Sequence, residues 1–314
     1  MSSITERGTT MESYYGRPIV KEPVWNPEIP VYFFTGGLAG ASAVLHGVAR
    51  LSGNERLART SLFIGAAADT LNPVLLIRDL GRPERFLHML RMFKVTSPMS
   101  VGSWVLFLQS GSSITAATLE LLGVLKPIRV AGNVVAFLAG PALATYTGAL
   151  VANTAIPVWS EARDELPWLF GSSAVASAGA AAGIFTPVGA AGPARRAAVA
   201  GVAAELGVHQ VMRRKLGFVG EVYDQGAAGK LDKVAKACTV AGAALIAARG
   251  SRSRAAAVTG GALVLAGEMA LRWSVFKAGF QSARDPRYTV LPQKERLAKQ
   301  KGATGSWQPK RAES

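Results

Sequence analysis

The sequence predicts an all-α, polytopic membrane protein of about eight transmembrane helices, arranged as two packed four-helix bundles. Three observations lead there. Of 314 residues, 49% are hydrophobic, only 18% are charged and 34 are glycine, a balance that fits either a membrane bundle or a soluble protein rich in small residues. Residues 98–119, 130–158 and 166–194 carry no charged side chain, and residues 29–49 carry a single histidine. A bilayer core of ~30 Å calls for about 20 such residues per crossing. A soluble chain would need several wholly buried helices with no polar face, and four such runs argue against it.

Taken in order, the polar segment 1–28 contains Pro18, Pro23 and Pro27 and shows no hydrophobic signal region, so the first span is expected to act as its own insertion signal. Spans are expected at 29–50, 58–78, 98–123, 128–157, 167–189, 194–212, 234–249 and 255–277. The domain outline is a polar arm (1–28), a helical domain (29–280; first bundle about 29–157, second about 167–277) and a basic tail (281–314). Span one opens on YFFTGGLAGAS (32–42). Interior glycine costs about 0.5–1 kcal/mol relative to alanine in a helix. Lipid gives helices little hydrophobic drive to associate, so small residues serve by letting backbones approach, and Gly36, Gly37, Gly40 and Ala41 form such a face. Span seven is the short one: the uncharged stretch between Lys236 and Arg249 gives about 18 Å of helix, so it crosses by snorkelling its charges or is re-entrant.

Eight spans place both termini on one side, called the N-side here. It collects 24 of the 35 Lys and Arg, the opposite side 10. The positive-inside rule then puts both termini in the cytoplasm of a cell inner or plasma membrane. The net charge of +15 is accounted for by topology and anionic lipid rather than by nucleic acid.

The residue counts exclude several redox classes. Cys238 is the sole cysteine, so this chain cannot ligate an iron–sulfur cluster alone. Three histidines (His46, His88, His209) are too few for two bis-histidine haems; a single haem between His46 and His209 is the remaining arrangement.

Charges inside spans are costly and mark function by default. They are Asp69, Glu120, Glu205, His209, Glu268 and Arg272. Glu205 and His209 are four apart, as are Glu268 and Arg272, so each pair can satisfy itself along one helix or line a proton route through the bundle. Toward the N-side lie Glu28 and Tyr32 at the start of span one, Tyr146 and Asn153 late in span four, and His209 late in span six. Acid, phenol and amide at one membrane face suit a quinone headgroup, which needs hydrogen bonds to two carbonyl oxygens and a nearby proton donor or acceptor. Any one of them can also be an interfacial anchor, Tyr32 above all.

Three stretches, DLGRPERF (79–86), SPMSVGSW (97–104) and YTGALVANTAIPVW (146–159), resemble the NrfD/PsrC family in order and spacing. The likeness begins at YYGRP (14–18) and fades after about Phe170. The family holds the quinone-interacting membrane subunits of polysulfide-reductase-type molybdoenzyme complexes. The resemblance implies a (mena)quinone bound without haem beside a ferredoxin-like iron–sulfur subunit and a molybdopterin catalytic subunit, with the redox site at the quinone rather than a catalytic arm of its own. In the polysulfide reductase subunit an Asn and a His at the start of span one and a Tyr in span four contact the quinone. Glu28 stands at the Asn position, Tyr32 at the His position, and Tyr146 matches. The family's partner docks on the side bearing these groups, so Asp79, Arg82, Glu84 and Arg85 form a partner-facing loop. Asp69, Glu205, His209, Glu268 and Arg272 are the candidates for a proton path. A cytoplasm-facing arm would suit a formate dehydrogenase or a sulfur- or sulfite-oxidising enzyme. The competing readings are a small-solute or ion transporter built on the buried Glu and Arg pairs, and a passive membrane anchor.

Overall fold

The computed structural model describes residues 18–303 except 81 and 83, without the side chains of Arg85, Leu87, Glu295, Arg296 and residues 298–303. Most of the expected polar arm, the YYGRP stretch up to residue 17, and the tail beyond 303 lie outside the described residues. Within them the chain is helical, and no strand is present. Eight helices have twenty or more residues: α1 (Glu28–Leu51), α2 (Glu55–Asp79), α4 (Pro98–Leu122), α5 (Lys126–Ala152), α7 (Leu166–Phe185), α8 (Gly192–Leu216), α9 (Gly226–Arg249) and α10 (Arg254–Arg284). Short helices α3 (Arg85–Met89) and α6 (Pro157–Glu161), a 3₁₀ turn (Gly217–Asp224) and a terminal α11 (Arg287–Ala303) connect or follow them. Six are long and apolar enough to cross a membrane: α1, α2, α4, α5, α7 and α10.

Local chemistry sets the helix ends. Asn54 caps α2 by accepting from Leu57 N at 3.2 Å, and its amide donates to Ala190 O at 2.8 Å. The SPMSVGSW stretch begins α4: Ser97 accepts from Ser100 N, Pro98 takes the first turn, and Gly123 closes the helix in the left-handed conformation. Pro73 inside α2 cannot donate to the carbonyl of Asp69, which loosens that helix beside its buried carboxylate.

Helix α1 packs on α2 and α5, α2 on α4, and α4 on α5. In the second half α7 packs on α8 and α10, α8 on α9, and α9 on α10, while α1 and α5 lie against α7. These interfaces are built from small residues. A Cβ on Gly40 would collide with the backbone of Gly140 and Ala144, and one on Gly140 with the carbonyl of Gly40. The outward surface carries Leu121, Leu138, Trp168 and Phe185, each about two-thirds exposed, as lipid contact requires.

One expectation changes. The seventh helix is not short: α9 starts at Gly226, and its 24 residues give about 36 Å of length. Its early turns hold Lys236 against Asp232 at 2.7 Å, so charges that looked like an interruption are paired along the helix. The basic tail is helical over α11, despite Pro292. The N-terminal segment is clamped to the end of α10 by two hydrogen bonds from Arg284 to Glu22, 2.7 and 3.0 Å, which hold the Glu22 carboxyl below the usual carboxylate range.

Gly40→Val should therefore lower the melting temperature of the detergent-solubilised protein by several degrees, since overpacking costs about 1–3 kcal/mol. Gly111→Ala has open space around it and should be neutral or slightly stabilising. Equal melting of Gly40→Val and wild type would show that α1 and α5 do not touch through their backbones.

Candidate functional site

A cavity of about 90 Å³ opens at the N-side end of α1, α2, α4 and α5, enough for several waters, each needing ~10–15 Å³. Its wall is apolar, with Trp25, Ile29, Phe33, Leu106 and Leu150, and holds few polar groups: Tyr32, Tyr146, Ser103 and Asp79. Tyr32 in α1 is 1% exposed, and its hydroxyl is hydrogen-bonded to that of Tyr146 in α5. A Cβ on Gly102 of α4 would fall into the Tyr146 ring, so the glycine of SPMSVGSW clears the space in which that ring lies.

The other motif residues hold the rim. Trp159 donates its indole N–H to Val275 O at 2.8 Å and stacks on Trp25 with ring centroids 5.3 Å apart. Asp79 accepts from Asn26 N at 3.0 Å, which ties the segment before α1 across the mouth. Trp104 and Ser100 both donate to Met92 O, anchoring the chain that follows α3.

Glu28 does not line the cavity. It sits at the rim, partly exposed, 3.8 Å from Arg78. Of the expected partner-facing loop, Asp79 belongs to the cavity wall, Arg82 and Glu84 are exposed, and the Arg85 side chain lies outside the described residues.

Two buried polar networks run inward. In the first, Thr35 donates to Asn72 Oδ1 at 2.6 Å, Asn72 lies 3.5 Å from Asp69, and Asp69 accepts from Ser110 at 2.9 Å and Gln109 at 3.5 Å. Thr35 lies one turn beyond Tyr32, so this network begins directly behind the cavity. In the second, the carboxyls of Glu205 in α8 and Glu268 in α10 are buried near one another and near Arg272, and Oε2 of Glu205 and Oε1 of Glu268 have no hydrogen-bond partner among the described residues. Ser173 donates to Glu268 at 2.5 Å, and Arg272 lies over the Phe170 ring, 3.8 Å from its centroid, donating to Phe170 O at 2.9 Å. Arg272 Nε and Nη1 are buried without a hydrogen-bond partner among the described residues. His209 Nε2 lies 2.9 Å from Asp232 of α9.

Partners along one helix and across helices combine: Glu268 and Arg272 of α10 lie close to each other and to Glu205 of α8, while His209 also meets Asp232 of α9. The five residues of the expected proton path divide, with Asp69 in the first network and Glu205, His209, Glu268 and Arg272 in the second. Glu120 is paired with Arg129 at 2.7 Å at the far end of the α4–α5 hairpin. The structure adds Asn72, Gln109, Ser110, Asp232 and Ser173, none singled out by formal charge inside a span. The spacing of Asp69 and Asn72, three apart on one helix face, was the available signal.

No curated protein matches this chain. The model of the polysulfide reductase family NrfD_2 matches residues 11–285, most of its length, and covers the cavity, both networks and all eight long helices. The chain belongs to the NrfD family of polysulfide-reductase membrane proteins.

Proposed function

We propose that this chain is the haem-free, quinone-binding membrane subunit of a molybdopterin oxidoreductase complex, with the quinone headgroup held at the Tyr32–Tyr146 cavity. The observation that carries this reading is a hydrogen-bonded pair of phenol hydroxyls, buried Tyr32 and half-buried Tyr146, on the wall of an otherwise apolar cavity between helices apolar enough to cross a membrane. Bound menaquinone would supply two acceptor oxygens and two-electron, two-proton chemistry. In the pair, one phenol spends its proton on the other, so one O–H is left to donate to a headgroup oxygen. Trp25, Phe33 and Leu106 give the headgroup an apolar wall, and the cavity of about 90 Å³ would widen to take a ring. Asp79 and Glu28 at the rim can exchange protons with the N-side, and the Asp69 network offers Tyr32 a polar route inward.

The same reading takes the eight long helices as eight crossings in two four-helix bundles, with both termini in the cytoplasm. The Glu205–Glu268–Arg272–His209 cluster then serves as a second proton route. A ferredoxin-like iron–sulfur subunit docks over Asp79, Arg82, Glu84 and Arg85, and a molybdopterin subunit acting on formate or on a sulfur compound lies beyond it. Freedom from haem is supported by the positions of the histidines. His46 lies near the far end of α1 and His209 toward the N-side end of α8, levels separated by about 18 Å of helix.

In the complex purified through this chain, Tyr146→Phe and Glu28→Gln should slow quinone turnover, on the order of 10²-fold for the proton relay, while activity with a soluble dye acceptor is unchanged. Wild-type quinone rates in both variants would favour the passive-anchor reading. Single cysteines placed at each terminus should be labelled by an impermeant maleimide in inverted vesicles and not in intact cells; labelling of the N-terminus in intact cells would reverse the orientation and the docking side with it.

A further inference from the structure

The far end of the same helix pair carries a second polar crevice. His46 lies about 21 Å along α1 from Tyr32 and is 4% exposed. Its Nδ1 is 2.8 Å from the carbonyl oxygen of Ala58 in α2. A carbonyl can only accept, so Nδ1 carries the hydrogen, and in the neutral ring Nε2 is an acceptor. That Nε2 is buried and has no hydrogen-bond partner among the described residues. The same holds for Oδ1 of Asn133 in α5. Both residues line one crevice of about 260 Å³ between α1 and α5, walled by Phe137, Val130 and Val134. Pro141 removes the helical donor that the Phe137 carbonyl would otherwise have, adding a third acceptor at this level.

The surroundings restrict what can fill it. Val130 and Val134 are 44% and 51% exposed, so the crevice opens sideways from a helix fit to cross a membrane, and its ligand comes through the bilayer. Arg50 also lines the crevice at its mouth, its Nη1 ion-paired with Glu55, and Arg129 is paired with Glu120 at 2.7 Å. A phosphate headgroup brings only acceptors and would leave Nε2 of His46 and Oδ1 of Asn133 unsatisfied, an expensive outcome for buried polar atoms.

We propose that this crevice is a second headgroup site, selective for a lipophilic hydroxyl donor, a quinol rather than a quinone. A quinol carries two phenolic O–H groups for the acceptors of His46 and Asn133, whereas a quinone has acceptor oxygens alone. Its ring packs beside Phe137. The two ends of the α1–α5 pair are then complementary: a free phenol donor at Tyr32–Tyr146 suits the oxidised headgroup, and unfilled acceptors at His46–Asn133 suit the reduced one. The hydroxyl-donor chemistry stands on the crevice alone; naming a quinol rests on the assignment of quinone to the Tyr32–Tyr146 cavity.

The test is anaerobic binding of menadiol and of menadione to the full chain in phosphatidylcholine nanodiscs. Wild type should bind menadiol at a site that menadione does not fill, and His46→Leu should weaken that site about tenfold or more, the equivalent of 1.4 kcal/mol, while menadione binding is unchanged. Asn133→Leu, on the other helix, should do the same and serves if His46→Leu fails to elute as a monodisperse peak. Menadiol binding unaffected by either variant overturns the proposal, as does displacement of menadiol from this site by phosphatidylglycerol. Tyr146→Phe separates the two assignments. If it alters neither ligand while His46→Leu still removes menadiol, the Tyr32–Tyr146 assignment fails and the crevice stands; if only Tyr146→Phe has an effect, the crevice fails.

Discussion

Direct backbone approach between helices is the constraint on which the rest of the structure depends. Lipid surrounds apolar side chains as well as a neighbouring helix does, so association must come from packing and from interhelical hydrogen bonds. Gly40 against Gly140 brings α1 onto α5; Gly179 and Gly201 bring α8 onto α7; Gly242 against Gly260 joins α9 and α10. The glycines that weaken each helix taken singly are what permit the assembled set. Only because α1 and α5 run so close can the hydroxyls of Tyr32 and Tyr146 meet, and the same contact shapes the crevice at their other end.

Close packing also decides how buried charge is tolerated. An ionisable group in a membrane interior needs a partner, and here partners come from neighbouring helices as well as from the same one. Asp69 is surrounded by neutral donors from α4, Glu268 by Ser173 of α7, and His209 by Asp232 of α9. Arg272 combines a carbonyl, an aromatic face and two nearby carboxyls. Such arrangements hold helices in one register while keeping groups that can pass a proton.

Much of this was legible in the sequence, for identifiable reasons. Uncharged runs mark apolar helices because the bilayer imposes their length, and the ordered motifs around Asp79, Ser97 and Tyr146 brought Tyr32 and Tyr146 to one end. Glu28 stands outside the cavity lining, 3.8 Å from Arg78, the last residue but one of α2, a cross-helix contact that no spacing along the chain announces. The length of α9 was hidden because Lys236 reads as a break until Asp232 is seen to pair with it. Asn72, Gln109 and Ser110 stayed unseen because neutral polar residues barely alter a hydropathy window. Asp232 did so because it falls in a stretch that resembles a loop. The crevice at His46 could not be read at all, since it depends on which ring nitrogen faces Ala58.

The most direct test of the Tyr32–Tyr146 cavity is photoaffinity labelling of the full complex with an azido-quinone, followed by peptide mapping. The label should fall within residues 25–33, 99–106 or 146–150 and be lost in the presence of excess menaquinone. Displaceable label confined to other parts of the chain, or to a partner subunit, would contradict the assignment.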